Sequence, residues 1–360
     1  MTQTINSTRQ SFMTLRKDEK MRHRDIAEKL GISEGELIGA HIGLDDIPAQ
    51  IGEMQSIRLR SEWSEIIASV EPLGEVMGLT RNPSCVHEKV GIYKNASKEG
   101  PVGLLVGEID LRIFYHAWAH AFAVYEMTKD GMHRSLQFFD KAGVAVHKIH
   151  LKPQSVIENF DELVAKFKSD DQSPGIEVVA LAKPSPELPD SEIDVQGWRQ
   201  AWRDMKDTHE FFGLLRKFKV SRTQGLRLAD PEFVQEVPVT CTKDLLELAS
   251  SSETPIMVFV GNPGMIQIHS GPVKKVVSMG PWINVMDPRF NLHLREDCVV
   301  NAWVVRKPTE DGIVTSVEVF DADGEAIAMF FGERKPGIPE LETWRTLVKD
   351  LLAKTATVEA

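Results

Sequence analysis

Cysteine is scarce in this chain. Cys85, Cys241 and Cys298 are the only three, far apart and without a CxxC pair, which excludes a disulfide framework and a zinc knuckle. No apolar run approaches the roughly 20 residues of a membrane-spanning helix, so no membrane insertion is expected. The opening stretch, Met1 to Gln10, lacks the apolar segment of a secretory signal, and a cytoplasmic protein is the expectation. The glycine pattern of a dinucleotide-binding loop is missing, as are a P-loop, an HExxH zinc motif and a GxSxG nucleophile turn. Basic charge is also short: 42 Lys and Arg against 53 Asp and Glu leave a net charge of −11. Bulk electrostatic binding to nucleic acid or an anionic membrane is disfavoured, while a local basic pocket remains compatible.

An internal duplication is the most informative feature present. At an offset of 180, Met77 matches Met257, Asn82-Pro83 matches Asn262-Pro263, and Gly91 matches Gly271. At an offset of 181, Asp110–Ile113 falls on Asn291–Leu294, Ser135–Asp140 on Ser316–Asp321, and Gly143 on Gly324. At an offset of 200, Phe12, Leu15, Arg16, Lys17 and Arg22 recur as Phe212, Leu215, Arg216, Lys217 and Arg222. The blocks keep their order while the offset drifts, as insertions after a duplication require. The 360 residues are long enough for two lobes, each with its own core.

Residues 171–194 carry four prolines among Asp and Ser, which sustain neither a long helix nor a central strand. They are read as a linker between an N-terminal repeat half, 1–170, and a C-terminal half, 195–360. Each half opens with helices (21–31; 196–218). Alternating strands follow (135–139; 314–320), then an Asp-x-x-Gly turn (Asp140–Gly143; Asp321–Gly324), and a closing helix (154–168; 339–353). Strands joined by short turns predict antiparallel sheets. The fold class is therefore α+β, a tandem duplication in which each half is a large, mainly antiparallel β-sheet flanked by helices.

Several constellations have chemical potential. Over 196–218, Trp198, Trp202, Met205, His209 and Phe212 follow helical steps and share one face. Spacing alone leaves two readings open for His209: a core histidine bonded to a backbone carbonyl, or an imidazole ligand offered to a flat apolar cofactor such as haem. His116 and His120 have the i, i+4 spacing of a helical zinc pair, but nothing nearby supplies a third ligand. His147 and His150 are read as surface residues. Residues 22–37 resemble a helix-turn-helix, with Gly31 in the turn and Ser33 as N-cap. Glu34 and Glu36 on its second helix would face phosphates, so packing is favoured over DNA reading. The basic pairs Lys274-Lys275 and Arg306-Lys307 are read as solvated strand ends.

The run Asp207-Thr208-His209-Glu210-Phe211-Phe212-Gly213-Leu214-Leu215 resembles the bacterial haemin-degrading factor family, the cytoplasmic haem-trafficking proteins of the HemS/HmuS type. So do Ile256–Asn262, Ala302–Thr309, Gly332-Glu333-Arg334, Arg81-Asn82 with His87-Glu88, and Leu111–Phe114. The resemblance covers essentially the whole chain. It implies a haem-binding protein of bacterial haem uptake and iron acquisition, which sequesters haem b and passes it to a degrading enzyme. By the same resemblance the proximal iron ligand falls on His209, and an arginine for the opposite haem face falls on Arg112. The propionate-binding cations fall on Arg222, Lys307 and Arg334, and an apolar wall on Met257, Phe114 and Phe259. Two alternatives stay open: a haem-degrading enzyme fed by an external electron donor, with Arg112 acting on the distal side, and a haem-responsive DNA-binding regulator. Implied partners are haem, a downstream haem oxygenase or reductase, and an inner-membrane haem importer; DNA is not expected as one. This chain has Met329 and Phe331 where the family often carries Gln and Tyr, so two polar contacts to haem are in question. Arg9 and His293 stand at the repeat positions of His209 and Arg112, which points to one haem per chain.

Overall fold

A computed structural model describes residues 4–19, 21–97, 102–181, 186–334 and 337–358. In chain order the first elements are α1 (Ile5–Asp18), α2 (His23–Leu30), α3 (Glu34–Gly39), β1 (Met54–Arg58), α4 (Trp63–Ala68), β2 (Val76–Arg81), β3 (Cys85–Gly91), β4 (Gly103–Leu105), β5 (Asp110–Ile113), β6 (His120–Thr128), β7 (Gly131–Phe139), β8 (Ala145–Leu151) and α5 (Ile157–Phe167). They are followed by α6 (Val195–Arg203), α7 (Glu210–Phe218), α8 (Arg222–Leu228), β9 (Val234–Glu236), α9 (Cys241–Ser251), β10 (Ile256–Asn262), β11 (Met265–Gly271), β12 (Val276–Met279), β13 (Trp282–Asp287), β14 (Phe290–Arg295), β15 (Asn301–Thr309), β16 (Gly312–Phe320), β17 (Ala326–Gly332) and α10 (Glu342–Val358). Two large antiparallel sheets result, of nine and of eight strands. The fold is α+β, as the short turns between alternating strands predict.

The chain divides into two compact units. The first holds Met1–Arg81, Glu88–Ala182 and Asn262–Gln267; the second holds Asn82–His87, Lys183–Gly261 and Ile268–Ala360. Within the first, neighbouring strands run β1-β6-β7-β8-β2, and within the second β9-β15-β16-β17-β10. The order is the same, and so is the register: Gln137 faces Lys148 as Glu318 faces Met329, and Ser135 faces His150 as Ser316 faces Phe331. Both last hairpins shift register at the same place, between Phe138 and Phe139 and between Val319 and Phe320. Gly143 and Gly324 turn those hairpins at φ of 74° and 76°, a region that costs an L side chain strain and a glycine none.

The paired Asn-Pro motifs have matching partners. Asn82, in the second unit, donates its side-chain amide to the carbonyls of Gly261 and Ile327 at 3.3 and 2.9 Å. Asn262, in the first, donates to those of Arg81 and Val146 at 3.0 and 2.9 Å. The acceptors are themselves repeat mates, so the duplication is preserved down to single hydrogen bonds.

Each unit has apolar cores that draw on alternating strand residues. In the first, Phe160, Leu163 and Val164 of α5 pack on Leu136 and Ile149, while Phe12, Ile26, Leu37 and Ile38 of α1–α3 pack with Phe122 and Val124. In the second, Leu245, Leu246, Trp344 and Leu347 of α9 and α10 pack on Val258, Val304, Val317 and Phe330. Trp198, Trp202, Phe211 and Leu215 pack with Trp303, Val305 and Phe320. Each large side chain so buried is worth roughly 1.5–3 kcal/mol. The buried indoles are also satisfied: Trp198 donates to the Gly225 carbonyl and Trp202 to that of Arg306, at 2.9 and 3.0 Å.

Three expectations need correction. His147 is buried in β8, its Nδ1 2.8 Å from the Thr80 hydroxyl and its Nε2 2.7 Å from the Tyr93 hydroxyl. It is a satisfied core histidine, and burial holds its pKa down to about 3. His150 faces Met77 and Ser135 in the sheet and is held low by burial too. The helix read over 196–218 is in fact two, α6 and α7, separated by 204–209. Within the linker expected at 171–194, residues 182–185 lie outside the described ones; a short 3-10 turn, Asp190–Glu192, is the one regular element among the rest. No described helix is long and apolar enough to cross a membrane.

Candidate functional site

The break between α6 and α7 has a local cause. Asp207 Oδ1 accepts the backbone N–H of His209 at 2.8 Å, and Glu210 Oε1 accepts that of Lys206 at 3.3 Å. Asp-x-x-Glu is a helix-start signature; here its two carboxylates hold the turn just before the new helix, which begins at Glu210. His209 becomes the residue preceding α7. The apolar stripe accordingly continues from Trp198, Trp202 and Met205 through Phe211 and Leu215, not through His209 and Phe212. The His209 side chain is 92% exposed and Phe212 57% exposed. A buried imidazole was expected; an outward one is found.

That imidazole is oriented. His209 Nδ1 lies 2.6 Å from Asp207 Oδ1. The His209 backbone N–H, with a contribution from the Arg334 charge, holds the Asp207 carboxyl below the usual range. An ionised carboxylate only accepts hydrogen bonds, so Nδ1 carries the hydrogen, and in the neutral ring Nε2 keeps its lone pair. Such a carboxylate–imidazole pair is the usual support of a metal-binding histidine.

The strands supply a flat apolar surface in the same unit. On β10, Ile256, Val258 and Val260 point into the core while Met257 and Phe259 alternate to the other face, half-exposed. Register sets Met257 beside Phe331 and Phe259 beside Met329, and the Phe259 and Phe331 rings lie 4.9 Å apart. The four side chains form one apolar strip. Met329 and Phe331 thus continue that strip.

Cations flank the strip. Arg222, the first residue of α8, lies over the rings of Phe211 and Phe212 at 5.2 and 5.7 Å. Its Nη2 is 3.0 Å from Met329 Sδ. The same guanidinium donates to Glu318 Oε2 at 2.7 and 3.0 Å. Lys307, buried, donates to Glu318 Oε1 at 2.8 Å, and the Ser316 hydroxyl donates to that oxygen at 2.8 Å. Burial alone would push the Glu318 carboxyl up, but the Arg222 and Lys307 charges bring it down to about 2. Lys307 is therefore an ammonium sunk under the helices and tied to a carboxylate. Arg334 follows β17, is half-buried, and forms no ion pair with a described residue.

His209, Arg222, Lys307, Arg334, Met257 and Phe259 all belong to the second unit. Arg112 and Phe114 belong to the first. Arg112 sits on β5 beside Leu104 of β4, paired to the Asp110 carboxylate and donating to the Leu111 carbonyl at 3.1 Å. Phe114 is half-buried, with its ring 6.4 Å from that of His116. His116 lies in a 3-10 turn and His120 opens β6, so the helical zinc pair does not form. No cluster of three metal-ligating side chains occurs among the described residues. The α2–α3 pair exists, but α3 is buried along Glu34, Gly35, Leu37, Ile38 and Gly39, which removes it as a reader of a DNA groove.

Sequence reasoning missed Asp207 and Glu318. The first was legible as a helix-start signature. The second was legible by alternation, since Glu318 shares a face with Phe320, and a carboxylate on a core face requires partners.

Comparison with known proteins adds an independent observation. A model of the haemin-degrading HemS.ChuX domain matches residues 31–167 and again 219–351. The chain is 37% identical over 336 residues to a haemin transport protein, HmuS of Yersinia pestis, covering 92% of this chain and 93% of that one. It superposes on the haem-loaded form of PhuS, a haem-binding protein from Pseudomonas aeruginosa, with a TM-score of 0.91 and 41% identity, over 96% and 99% of the two chains. The Escherichia coli haem oxygenase ChuS aligns with a TM-score of 0.84 and 35% identity, again over 96% and 99%.

Proposed function

The chain belongs to the haemin-degrading HemS.ChuX family, and on that premise we propose that it binds haem b and carries it in bacterial haem uptake and iron acquisition. One observation carries the reading: in a chain matched along both halves by that family, an exposed imidazole with a free Nε2 stands in the same unit as an apolar strip edged with cations. Each part suits one part of the ligand. Haem supplies an iron that takes a neutral imidazole, a flat apolar ring and two carboxylate tails. His209 offers the imidazole, and Asp207 fixes its tautomer. Met257, Phe259, Met329 and Phe331 offer the apolar wall. Arg222 and Arg334 offer guanidinium groups, which suit carboxylates by geometry as well as charge. Lys307 enters the proposal through Glu318, by steadying the position of Arg222.

Arg112 and Phe114 enter through the family resemblance and lie in the first unit. A degrading activity is the second reading, favoured by the likeness to ChuS, with Arg112 as the residue to test. A cytoplasmic location, receipt of haem from an inner-membrane importer and hand-over to a downstream oxygenase or reductase belong to the same proposal.

The test is a haemin titration of the wild type and His209→Ala, read by the Soret band. The expected result is saturable one-to-one binding by the wild type, weakened by more than about tenfold in the variant. An unchanged Soret position and affinity would remove His209 as ligand.

A further inference from the structure

Glu318 is out of place in a site for an anion. It is fully buried, and a buried carboxylate beside the cations of such a site works against binding the ligand. A glutamine there would fill the same space and leave both cations free to act on an acidic tail. The carboxylate instead takes two hydrogen bonds from Arg222, one from Lys307 and one from Ser316. The cluster of Arg222, Lys307 and Glu318 therefore presents one positive charge rather than two. Beneath Phe211, whose ring lies 4.7 Å from the Lys307 ammonium, little water screens that charge.

We propose that Glu318 is a specificity-determining residue that limits how many acidic tails the site accepts, favouring a porphyrin with two carboxylates over one with four. This rests on the haem-binding reading above. The mechanism is electrostatic. A ligand with four carboxylates gains more from each added positive charge than one with two, so cancelling a charge penalises the more acidic ligand. Discrimination of this kind is a difference between two affinities, and it can be built by weakening the wrong complex. Glu318 acts through Arg222 and Lys307, so it is a positioning residue as well as a source of charge.

The experiment compares iron protoporphyrin IX, with two carboxylates, and iron coproporphyrin, with four, on the wild type, Glu318→Gln, Lys307→Met and the double variant. The readout is the ratio of the two dissociation constants, which a general loosening of the fold leaves unmoved. Glu318→Gln is expected to shift the ratio about tenfold toward the four-carboxylate ligand. Lys307→Met should shift it by a similar factor the other way. The double variant restores the single positive charge and should return the ratio to within about threefold of wild type. Should Glu318→Gln fail to fold, Lys307→Met and the double variant still decide, because both remove the repulsion that Glu318→Gln leaves behind. A ratio that stays constant across the folded variants, with wild-type haem binding intact, overturns this inference alone. A wild type that binds neither porphyrin overturns the haem-binding reading and this inference with it.

Discussion

The same ancestral segment became α1 with α2 in the first unit and α7 with α8 in the second, and the two copies now do opposite things. Phe12 is fully buried, and its repeat mate Phe212 is exposed. Arg9 donates to the carbonyls of Ala40 and Ile42 at 2.6 and 2.8 Å, while its mate His209 points outward. The difference traces to α3. In the first unit α3 and His41 cover Phe12, with the Phe12 and His41 rings 4.9 Å apart. Glu34, at the start of α3, binds Lys148 at 2.5 Å and pairs with Arg81. Lys148 is the repeat mate of Met329, so α3 lies on the counterpart of the apolar strip. In the second unit the chain runs from α8 to β9 with no such helix, and the strip stays open. The strip of the second unit lacks that lid, and its counterpart in the first is closed by its own polypeptide.

The largest effects expected from breaking this comparison are in packing. Trp198→Ala removes a fully buried indole from under α7 and α8, where a Cβ on Gly225 would already stand 2.9 Å from the ring. The cost should be about 3–5 kcal/mol, with hydrogen exchange rising in α6–α8 well before the α9–α10 side of the sheet. Equal loosening throughout the second unit would show that the helical cap is not a separate layer. Next in size is Arg9→Ala. It should lower stability by about 1–3 kcal/mol through two unsatisfied carbonyls and leave haem affinity within about twofold, the reverse of His209→Ala. A loss of haem binding in Arg9→Ala would mean that the first copy is not closed.

Acid should separate the units further. Burial holds His41 down to about 4 and His147 to about 3, both in the first unit. The unfolded chain takes up those protons near pH 6.5, so their neutral burial weakens the first unit as pH falls from about 6.5 toward 4 and 3. Glu318 is depressed to about 2. Its contribution is complete above about pH 4.5 and is lost only as pH falls toward 2. Between about pH 6.5 and 4.5, exchange in the segments around His41 and His147 should therefore rise while that around Glu318 holds. A simultaneous rise would count against this order. The smallest effect is at the ends of the paired helices: Glu19 closes α1 at φ −99°, while Lys219 closes α7 at φ 55°. Lys219→Gly should relieve the left-handed cap by about 0.5–1 kcal/mol and raise the melting temperature slightly. No gain, or a loss, would mean that the lysine side chain compensates for its backbone.

Much of the fold was legible because duplication and alternation are properties of residue order. Ser135–Asp140 and Ser316–Asp321 read as strands with turns, and they form matching hairpins. What escaped depends on what covers a surface. A stripe through Trp198, Trp202, Met205, His209 and Phe212 satisfied helical spacing, yet Asp207 and Glu210 restarted the helix and turned His209 outward. His147 reads as a surface residue, but the Thr80 and Tyr93 hydroxyls satisfy both of its ring nitrogens. Glu34, read as a charge that would face phosphates if the helix met DNA, is buried because Lys148 and Arg81 meet it there. For His147 and Glu34 the deciding partners are remote in sequence; for His209 the deciding neighbour, Asp207, is two residues away and acts by bending the chain.

The role of the open copy is tested most directly by a cavity at the ligand position. His209→Gly should bind haemin weakly, and added imidazole should restore the wild-type Soret band and, in the reduced protein, an iron–imidazole stretch in the resonance Raman spectrum. A His209→Gly protein that already shows the wild-type spectrum without imidazole would contradict the assignment of His209 as the iron ligand.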